Sequence, residues 1–394
     1  MNLGCFVKTV LSVFSLFAVC PEVFGQVAEL GNQETNGSQR NNIVVAVPFL
    51  LIVPDARLGG MGDAGVAVPA DGNAMGINPS KLAFLDKKYG FSVSYSPWLK
   101  SLVPDISLTY LSGFYKPNEK TTLGAALRYF NLGEIQLTDI NQQDLGVYSP
   151  NELAFDVTYA RRMSETFSLG TSLRYIYSNL TSGQFSSGQQ TKAGTAVAVD
   201  VSAYFKKPTV FLGTDAILSA GLNISNIGTK ISYTDNGNSN FLPTNLKIGG
   251  ASTFLIDDYN QFTFALDLNK LMVPTQPVYD ANGNIIAGKD PDRSVPAGIF
   301  GSFSDAPGGF NEELKEVNIA AGMEYWYNQQ FAFRAGYFYE SPQKGNRRYF
   351  TLGAGLKYNV FNIDIAYLLA NAQKSPLANT LRFSLLFNFG PSNN

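Results

Sequence analysis

The stretch YGFSVSY, Tyr89–Tyr95, alternates large apolar side chains with small ones at every second residue. Successive side chains of a β-strand point to opposite faces of a sheet, so this period of two predicts a strand with one apolar face and one small, polar face. The same alternation returns in segments such as 153–159, 331–339 and 381–389. It indicates that most of the chain is built from strands.

Segments with this alternation number about fourteen by the usual signals of a strand. They are centred near residues 92, 110, 126, 156, 172, 200, 221, 250, 265, 322, 335, 354, 366 and 385. Short connections alternate with long ones, and the longest runs roughly from Lys270 to Lys315. Single-chain barrels of bacterial outer membranes have an even number of strands, short periplasmic turns and longer outer loops. The predicted fold class is therefore all-β, a transmembrane antiparallel up-and-down β-barrel with an N-terminal hatch.

The composition supports a membrane protein and argues against an enzyme. Of 394 residues, 45% are apolar and only 15% are charged, whereas about 25% are charged in typical soluble proteins. The chain has no histidine, which is the commonest general base and zinc ligand, and no GxSxG motif that would mark a nucleophilic serine. We therefore predict no catalytic site, metal or cofactor. The net charge of −2 gives no reason to expect nucleic-acid binding.

The first 25 residues have the features of a secretory signal peptide. Lys8 precedes an apolar core, and the sequence Val23-Phe24-Gly25 suits a signal peptidase. Lipidation of Cys20 is the alternative, although Val19 before it fits poorly. The predicted organisation is a signal peptide (1–25), a flexible tail (26–45), a hatch segment (46–88), the barrel (89–390) and a C-terminal tail (391–394).

Charged residues recur on the small, polar face of the predicted strands. They are Arg128, Asp156, Arg174, Asp200, Asp267, Glu324, Arg334, Lys357, Asp364 and Arg382. A Lys or Arg that faces the centre of the bilayer costs about 2–4 kcal/mol, so we predict that this face lines the lumen. The acidic and basic residues are equal in number, which favours a network of ion pairs; a path for a substrate or an ion is the alternative.

Tyrosines gather near the ends of the predicted strands. They are Tyr95, Tyr159, Tyr177, Tyr327, Tyr339 and Tyr358. Amphipathic rings are favourable at the headgroup level of a bilayer, so these residues predict an aromatic belt. Ordinary β-propensity is the alternative explanation.

The spacing Gly60-x-Gly62-x-x-Gly65 matches a dinucleotide-binding fingerprint. That fingerprint needs a strand before it and a helix after it, and here Pro69 and Gly72 interrupt any helix. Glycine also allows one backbone to approach another closely. We therefore predict a hatch that folds inside the mouth of the barrel. Its predicted structural residues are Gly59, Gly60, Gly62, Asp63, Gly65, Asn78 and Pro79.

Two stretches carry a family resemblance. ARLGGMGDAGVAVPADGNAMGINPSKLAFL (56–85) resembles the N-terminal hatch of the FadL superfamily of fourteen-stranded outer-membrane barrels, in which a glycine-alanine run precedes an Asn-Pro-Ala element. Ser80 replaces that alanine. VPFLLIVPDARLGGMGDAG (47–65) resembles more narrowly the PorV family, barrel subunits of the type IX secretion system of Bacteroidota. The resemblance spans the hatch, the strand count and the terminal strand.

The resemblance implies a location and a set of partners. It implies an outer-membrane barrel that docks beside the giant translocon barrel, SprA in gliding bacteria, and that contacts membrane lipid and lipopolysaccharide. Such a barrel receives exported cargo by its C-terminal signal domain and carries it to the attachment complex that contains PorU. The alternative is a FadL-type transporter of hydrophobic small molecules, which needs an apolar pocket inside the barrel.

The long loop near residues 270–315 is the predicted contact surface for these partners. It is long enough to reach out of the membrane, and it mixes prolines, aromatic residues and charges as recognition loops do. The candidate contact residues are Pro274, Tyr279, Asp290 and Arg293. The alternative is a solvated loop without a partner.

Overall fold

The structure is a computed structural model, and it describes residues 41–98, 105–138, 144–180, 185–186, 189–234, 239–370 and 380–390. The predicted signal peptide, residues 26–40 of the predicted flexible tail and the predicted C-terminal tail lie outside the described residues. None of the helices in the described ranges combines the length and the hydropathy that a membrane crossing would require.

In the described part of the chain, fourteen antiparallel strands close into one barrel. They are β1 (Tyr89–Pro97), β2 (Ile106–Asn118), β3 (Thr121–Leu132), β4 (Asn151–Arg162), β5 (Phe167–Asn179), β6 (Gly194–Phe211), β7 (Thr214–Gly228), β8 (Asn245–Leu255), β9 (Asn260–Leu271), β10 (Val317–Tyr327), β11 (Phe331–Tyr339), β12 (Arg348–Tyr358), β13 (Phe361–Leu369) and β14 (Thr380–Phe389). Every predicted segment centre falls within one of them. The predicted fourteen-stranded antiparallel barrel is confirmed.

The barrel closes where β1 pairs with β14, with Val93 opposite Leu385. Each remaining strand pairs with its neighbours in chain order. Closure leaves no strand edge with free N–H and C=O groups, which is what a sheet surrounded by lipid needs.

The two faces of each strand follow the alternation of the sequence. In β1, Phe91 and Val93 point outward and are exposed, whereas Ser92 and Ser94 point inward and are buried. In β4, Phe155 and Val157 are exposed and Asp156 is buried. The outer wall is therefore apolar, and the small and charged side chains lie inside.

Short turns and long connections alternate between the two ends of the barrel. Short turns join β2 to β3, β4 to β5, β6 to β7, β8 to β9, β10 to β11 and β12 to β13. The long connections at the other end hold small hairpins, Ile135–Thr138 with Asp144–Tyr148, Phe185–Ser186 with Gln189–Gln190, and Val278–Tyr279 with Ile285–Ala287. The connection between β9 and β10 also contains two α-helices, α2 (Val295–Gly301) and α3 (Phe310–Lys315). By the rule for outer-membrane barrels, the short-turn end is periplasmic.

Residues 41–88, called the N-terminal segment below, run along the barrel from the long-loop end to the short-turn end. The N–H of Ala46 donates to the carbonyl of Phe241 in a long connection at 3.0 Å, and Lys116 near a short turn donates to the carbonyl of Leu85 at 2.8 Å. The helices of this segment are short: 3₁₀ turns at Pro48–Leu51, Ala74–Gly76 and Pro79–Phe84, and an α-helical turn, α1, at Ala56–Gly59.

A single lipid-facing substitution tests the orientation of the strands. Leu173 lies in the middle of β5 and points outward with 56% of its surface exposed. We expect Leu173→Arg to lower the free energy of unfolding by about 2–4 kcal/mol, because it places a cation in hydrocarbon. Urea unfolding in phospholipid vesicles measures the effect, with Ser164→Arg in the short turn after β4 as the control. Equal stability of the two variants would contradict the orientation.

Candidate functional site: the barrel interior and the long outer loop

The glycine motif of the N-terminal segment binds a carboxylate of the barrel wall. The Asp267 carboxylate on β9 accepts hydrogen bonds from the N–H groups of Gly65 at 2.7 Å and Val66 at 2.9 Å. Lys81 donates to the carbonyl of Gly65 at 2.8 Å, and Asn78 donates to the carbonyl of Val66 at 2.8 Å. The backbone groups that would bind a phosphate in a nucleotide site are thus occupied by side chains of this chain.

Glycines on both partners allow the backbones to come close. Gly62 has φ of +67°, a conformation that side chains other than glycine rarely adopt. A Cβ atom on Gly336 of β11 would lie 2.1 Å from the nitrogen of Gly62, and one on Gly221 of β7 would lie 2.1 Å from the carbonyl oxygen of Val66. The wall glycines were not among the predicted residues, because strand glycines fit the small face without any further role.

The other predicted hatch residues also contact the wall. Thr351 on β12 donates to the carbonyl of Gly60 at 3.0 Å, and Gly59 lies beside the side chain of Arg382. Asn78 precedes Pro79 and caps the following turn by accepting from the N–H of Ser80 at 3.2 Å. That N–H also donates to the Ser202 hydroxyl on β6 at 2.9 Å. The segment is therefore hydrogen-bonded to several strands around the barrel.

Glu324 on β10 is the centre of one buried group of charges. Arg57 of the N-terminal segment binds both oxygens of Glu324 at 2.8 Å, and Arg334 on β11 binds it at 2.7 Å. Arg334 also contacts Asp364 on β13 at 2.7 Å, and Arg57 contacts Asp71 at 2.9 Å. Removing one partner of a buried ion pair costs about 3–5 kcal/mol, so this group fixes the segment to the wall.

A second ion pair joins the segment to β14. Arg382 contacts Asp63 at 2.7 Å, and the Tyr349 hydroxyl donates to the other oxygen of Asp63 at 2.7 Å. Arg382 also donates to the carbonyl of Val53 at 3.3 Å. The predicted hatch residue Asp63 and the predicted lumen residue Arg382 thus bind each other.

A third group of charges lies within the wall itself. Arg174 on β5 contacts Asp156 on β4 at 2.5 Å and Asp200 on β6 at 3.0 Å. Arg174 also donates to the side-chain carbonyl of Asn226, whose N–H binds Asp200 at 2.8 Å. Asn226 has φ of +60° at an irregularity in the pairing of β6 with β7. This group therefore stabilises a bulge in the wall.

Three of the ten predicted lumen charges take no part in these ion pairs. Arg128 donates to the carbonyls of Leu50 and Gly76, each at 3.0 Å, and Asp267 binds the backbone of the glycine motif. Lys357 is exposed, because it precedes the short turn between β12 and β13. The described contacts include no direct ion pair for these three residues, so their pairing stays a prediction. Alternation reveals which face of a strand a residue occupies, but not its depth in the barrel or its partners.

The sequence analysis missed the charged partners that the N-terminal segment contributes. Arg57, Asp71 and Lys81 belong to a segment without strand periodicity, so the alternation could not select them. Arg57 lies two residues after Asp55, the capping residue of α1; the sequence carried no other signal. Among the described residues, no group of three or more Cys, Asp or Glu side chains is placed to hold a metal ion.

The outer part of the interior is filled by apolar side chains. Phe49 and Leu50 of the N-terminal segment are buried in a cluster with residues such as Ile106, Phe130 and Ile176 from the strands. The rings of Phe49 and Phe130 are stacked with their centroids 6.1 Å apart. The chain's own side chains thus occupy this apolar region.

The long loop between β9 and β10 is folded and held at its base by charges. Lys270 contacts Glu313 at 2.9 Å and Glu316 at 2.6 Å. Lys344, from the connection between β11 and β12, contacts Glu312 at 2.5 Å and Glu316 at 2.9 Å. We call these five residues the loop latch. Asn41 also donates to Glu312 at 3.1 Å, so the latch joins two long connections to the start of the N-terminal segment.

Two carboxylates of the latch, Glu312 and Glu313, are stabilised in their charged form. Burial opposes ionisation of Glu313, but the Ala306 N–H and the Lys270 ammonium group hold the pKa of Glu313 below its usual range. Burial likewise opposes ionisation of Glu312, and the Lys344 ammonium group and the Gly308 N–H lower its pKa. Glu312 and Glu313 therefore stay charged at neutral pH.

The same loop exposes large apolar side chains. Phe300 on α2 is 77% exposed and Phe310 on α3 is 74% exposed. Phe303 and Leu314 are also exposed. We call these four residues the apolar loop surface. Exposed aromatic side chains on a folded loop are typical of binding sites for other proteins.

The four predicted contact residues of the loop divide into two pairs. Tyr279 and Asp290 are exposed. Pro274 is buried near Gly298, and Arg293 is half-buried, donates to the carbonyl of Asp290 at 2.6 Å and lies 3.7 Å from Asp305. The prediction of a contact role is wrong for Pro274 and unsupported for Arg293, because the loop folds on itself and uses both residues internally.

Comparisons with known structures agree with the barrel fold. The TodX deltaS2S3 mutant, a monoaromatic hydrocarbon channel, aligns with a TM-score of 0.51 and 13% identity over 85% of this chain and 99% of that chain. The toluene transporter TodX of P. putida aligns with a TM-score of 0.49 and 12% identity over 86% of this chain and 99% of that chain. A Pseudomonas aeruginosa FadL homologue aligns with a TM-score of 0.45 and 11% identity over 89% of this chain and 100% of that chain. At these identities the likeness concerns the fold alone.

Sequence families give a narrower result. The family model for the type IX secretion system protein PorV matches residues 35–278, which is more than half of the 394-residue chain. No curated protein matches the chain. The matched family is associated with protein secretion. The chain belongs to the PorV family of the type IX secretion system and is a β-barrel of the bacterial outer membrane.

Proposed function

We propose that the barrel is a cargo-binding shuttle of type IX secretion. In this proposal it docks beside a giant SprA-like translocon barrel and binds the C-terminal signal domain of exported cargo. It then carries the cargo to a PorU-like attachment complex at the cell surface. The membership of the PorV family supports a role in secretion, and the outer loop supports a role in binding.

The observation that carries this proposal is the folded long loop. The loop latch fixes its base by four ion pairs between 2.5 and 2.9 Å. Because the loop is already folded, the apolar loop surface can bind a partner without the entropic cost of ordering a flexible loop. A folded protein domain is a suitable partner for such a surface, since aromatic anchors supply much of the energy of protein interfaces.

The N-terminal segment is proposed to act as a hatch that closes the lumen. Its contacts with Arg128 on β3, Asp267 on β9 and Arg382 on β14 reach strands spaced around the barrel. A lumen filled in this way favours binding of cargo at the outer surface over passage of cargo through the barrel.

A FadL-type transporter of hydrophobic small molecules remains the second candidate. The apolar cluster near the outer end has the chemistry that such a ligand needs. Phe49 and Leu50 fill this cluster from within the chain, so a ligand would have to displace them. This arrangement favours the shuttle.

A wall glycine tests the proposed hatch. Any Cβ on Gly336 meets the backbone of Gly62 at 2.1 Å, so Gly336→Ala should displace the segment and cost about 1–3 kcal/mol of stability, as overpacking does. We expect a lower unfolding temperature and a faster flux of small solutes into proteoliposomes. Gly250→Ala is the matched control, because a Cβ there has its nearest neighbour at 3.7 Å. Folded Gly336→Ala barrels with unchanged flux would contradict the hatch.

Truncation of two exposed rings tests the apolar loop surface. Loss of an aromatic anchor costs on the order of 2 kcal/mol, which corresponds to about a thirtyfold loss of affinity. We therefore expect Phe300→Ala with Phe310→Ala to reduce the capture of cargo signal domains and the release of type IX cargo. The control is Val210→Ala with Leu212→Ala, two exposed apolar side chains at the short-turn end. The idea fails if both double variants capture cargo like the unmodified barrel.

Shortening the loop separates the two candidate functions. The N–H of Thr275 lies 3.4 Å from the Asp305 carboxylate, so a short Gly-Ser linker can replace residues 276–304 and leave the latch in place. We expect the barrel to assemble and cargo to accumulate unreleased, with uptake of long-chain fatty acids unchanged. Shortening the hairpin at 135–148 is the control. Normal cargo release combined with lost uptake would instead favour the transporter.

A further inference from the structure

The short-turn end of the barrel carries its charges unevenly. Along β1–β6 this end has eight cations, which we call the basic rim: Lys87, Lys88, Lys116, Lys120, Arg161, Arg162, Lys206 and Lys207. The acidic residues on the same arc are Asp86, Glu119 and Glu165. Along β7–β14, the charges at this end are Lys357, Asp215, Asp257 and Asp258. One half of the end is therefore basic and the other half is slightly acidic.

Backbone hydrogen bonds show that the basic rim is continuous. The N–H of Lys116 donates to the carbonyl of Lys88 at 2.7 Å, and that of Arg162 donates to the carbonyl of Lys120 at 2.7 Å. The N–H of Lys206 donates to the carbonyl of Thr166, in the same short turn as Arg162, at 2.8 Å. The cations thus lie on adjoining strand ends.

An aromatic row borders the basic rim on the lipid-facing side. Tyr89, Tyr115, Tyr159 and Phe205 all point outward and are exposed. Arg161 lies on the same outward face two residues beyond Tyr159, and Lys207 lies two residues beyond Phe205. Outward aromatic rings mark the level of the headgroups in a membrane barrel. The cations that follow them therefore lie at the level of the lipid phosphates.

Half of the cations of the basic rim are exposed, whereas Lys116 is buried and donates to the carbonyl of Leu85. Within the described ranges, only Lys116 forms an ion pair, 3.8 Å from Glu119, whose side chain is 63% exposed. Lys120, Arg161 and Lys207 are exposed. An excess of exposed cations attracts anions, and two-pronged guanidinium groups suit phosphate oxygens.

We propose that the basic rim is a binding site for the phosphate headgroups of anionic phospholipids in the periplasmic leaflet. The position of the cations beside outward aromatic rings favours a lipid over a periplasmic protein, which would be expected to dock below the membrane. The acidic arc at β7–β14 does not attract such lipids. The barrel therefore gathers anionic lipid on one side only.

Lipid retention by the purified full-length barrel tests this site. Phosphatidylglycerol and phosphatidylethanolamine are added in turn to the barrel in mild detergent, and bound lipids are counted by native mass spectrometry. Each cation near an anionic surface contributes about 1 kcal/mol, so Arg161→Gln with Lys207→Gln should weaken phosphatidylglycerol binding about thirtyfold. Binding of phosphatidylethanolamine should change little.

Two further variants control for packing and for position. Arg161→Lys with Lys207→Arg keeps the charges and should keep phosphatidylglycerol binding. Lys289→Gln with Lys315→Gln removes two exposed cations at the long-loop end and should also bind normally. Retained binding in the Arg161→Gln, Lys207→Gln variant would overturn the proposal, as would equal affinity of the unmodified barrel for the two lipids. Loss of a co-purifying acidic protein with lipid binding unchanged would overturn it in favour of a protein partner.

Discussion

The structure depends on one constraint, which is that backbone polar groups surrounded by hydrocarbon must pair with one another. Pairing of β1 with β14 meets this constraint by leaving the sheet without an edge. Closure then forces a choice on every side chain, since each one faces either lipid or the interior. Apolar residues take the outer face at the depth of the hydrocarbon, so the strand charges at that depth face inward, where each needs a partner.

The N-terminal segment supplies many of those partners. Glu324 and Arg382 on the wall pair with Arg57 and Asp63 of the segment, and Asp267 binds its backbone. The segment and the wall are therefore interdependent, because removal of either would leave buried charges unpaired at a cost of several kcal/mol each. At the outer end, the loop latch repeats the same principle, and the loop that it holds exposes aromatic rings.

The sequence was most informative where physical periodicity is strict. A period of two located every strand and the inward side of charges such as Asp156 and Arg334, because alternation in a strand leaves no freedom of face. The period of two could not show that Lys357 lies at the end of its strand, close to the short turn. It also could not find the loop latch, whose residues are far apart in the sequence. The burial of Pro274 likewise depends on how the loop folds, and no local sequence pattern encodes that fold.

The lengthwise course of residues 41–88 has a consequence for biogenesis. Asn41 is fixed at the outer mouth and Lys88 adjoins the final strand at the inner one, where its N–H meets the Phe389 carbonyl at 3.1 Å. If the barrel wall closed first, residues 41–88 would have to enter the closed barrel afterwards. They would then pass the buried arginine side chains and the close glycine contacts of the wall. The pairing of β1 with β14 therefore encloses a segment that contacts both ends of the barrel, so closure of the wall and placement of residues 41–88 are coupled steps of folding.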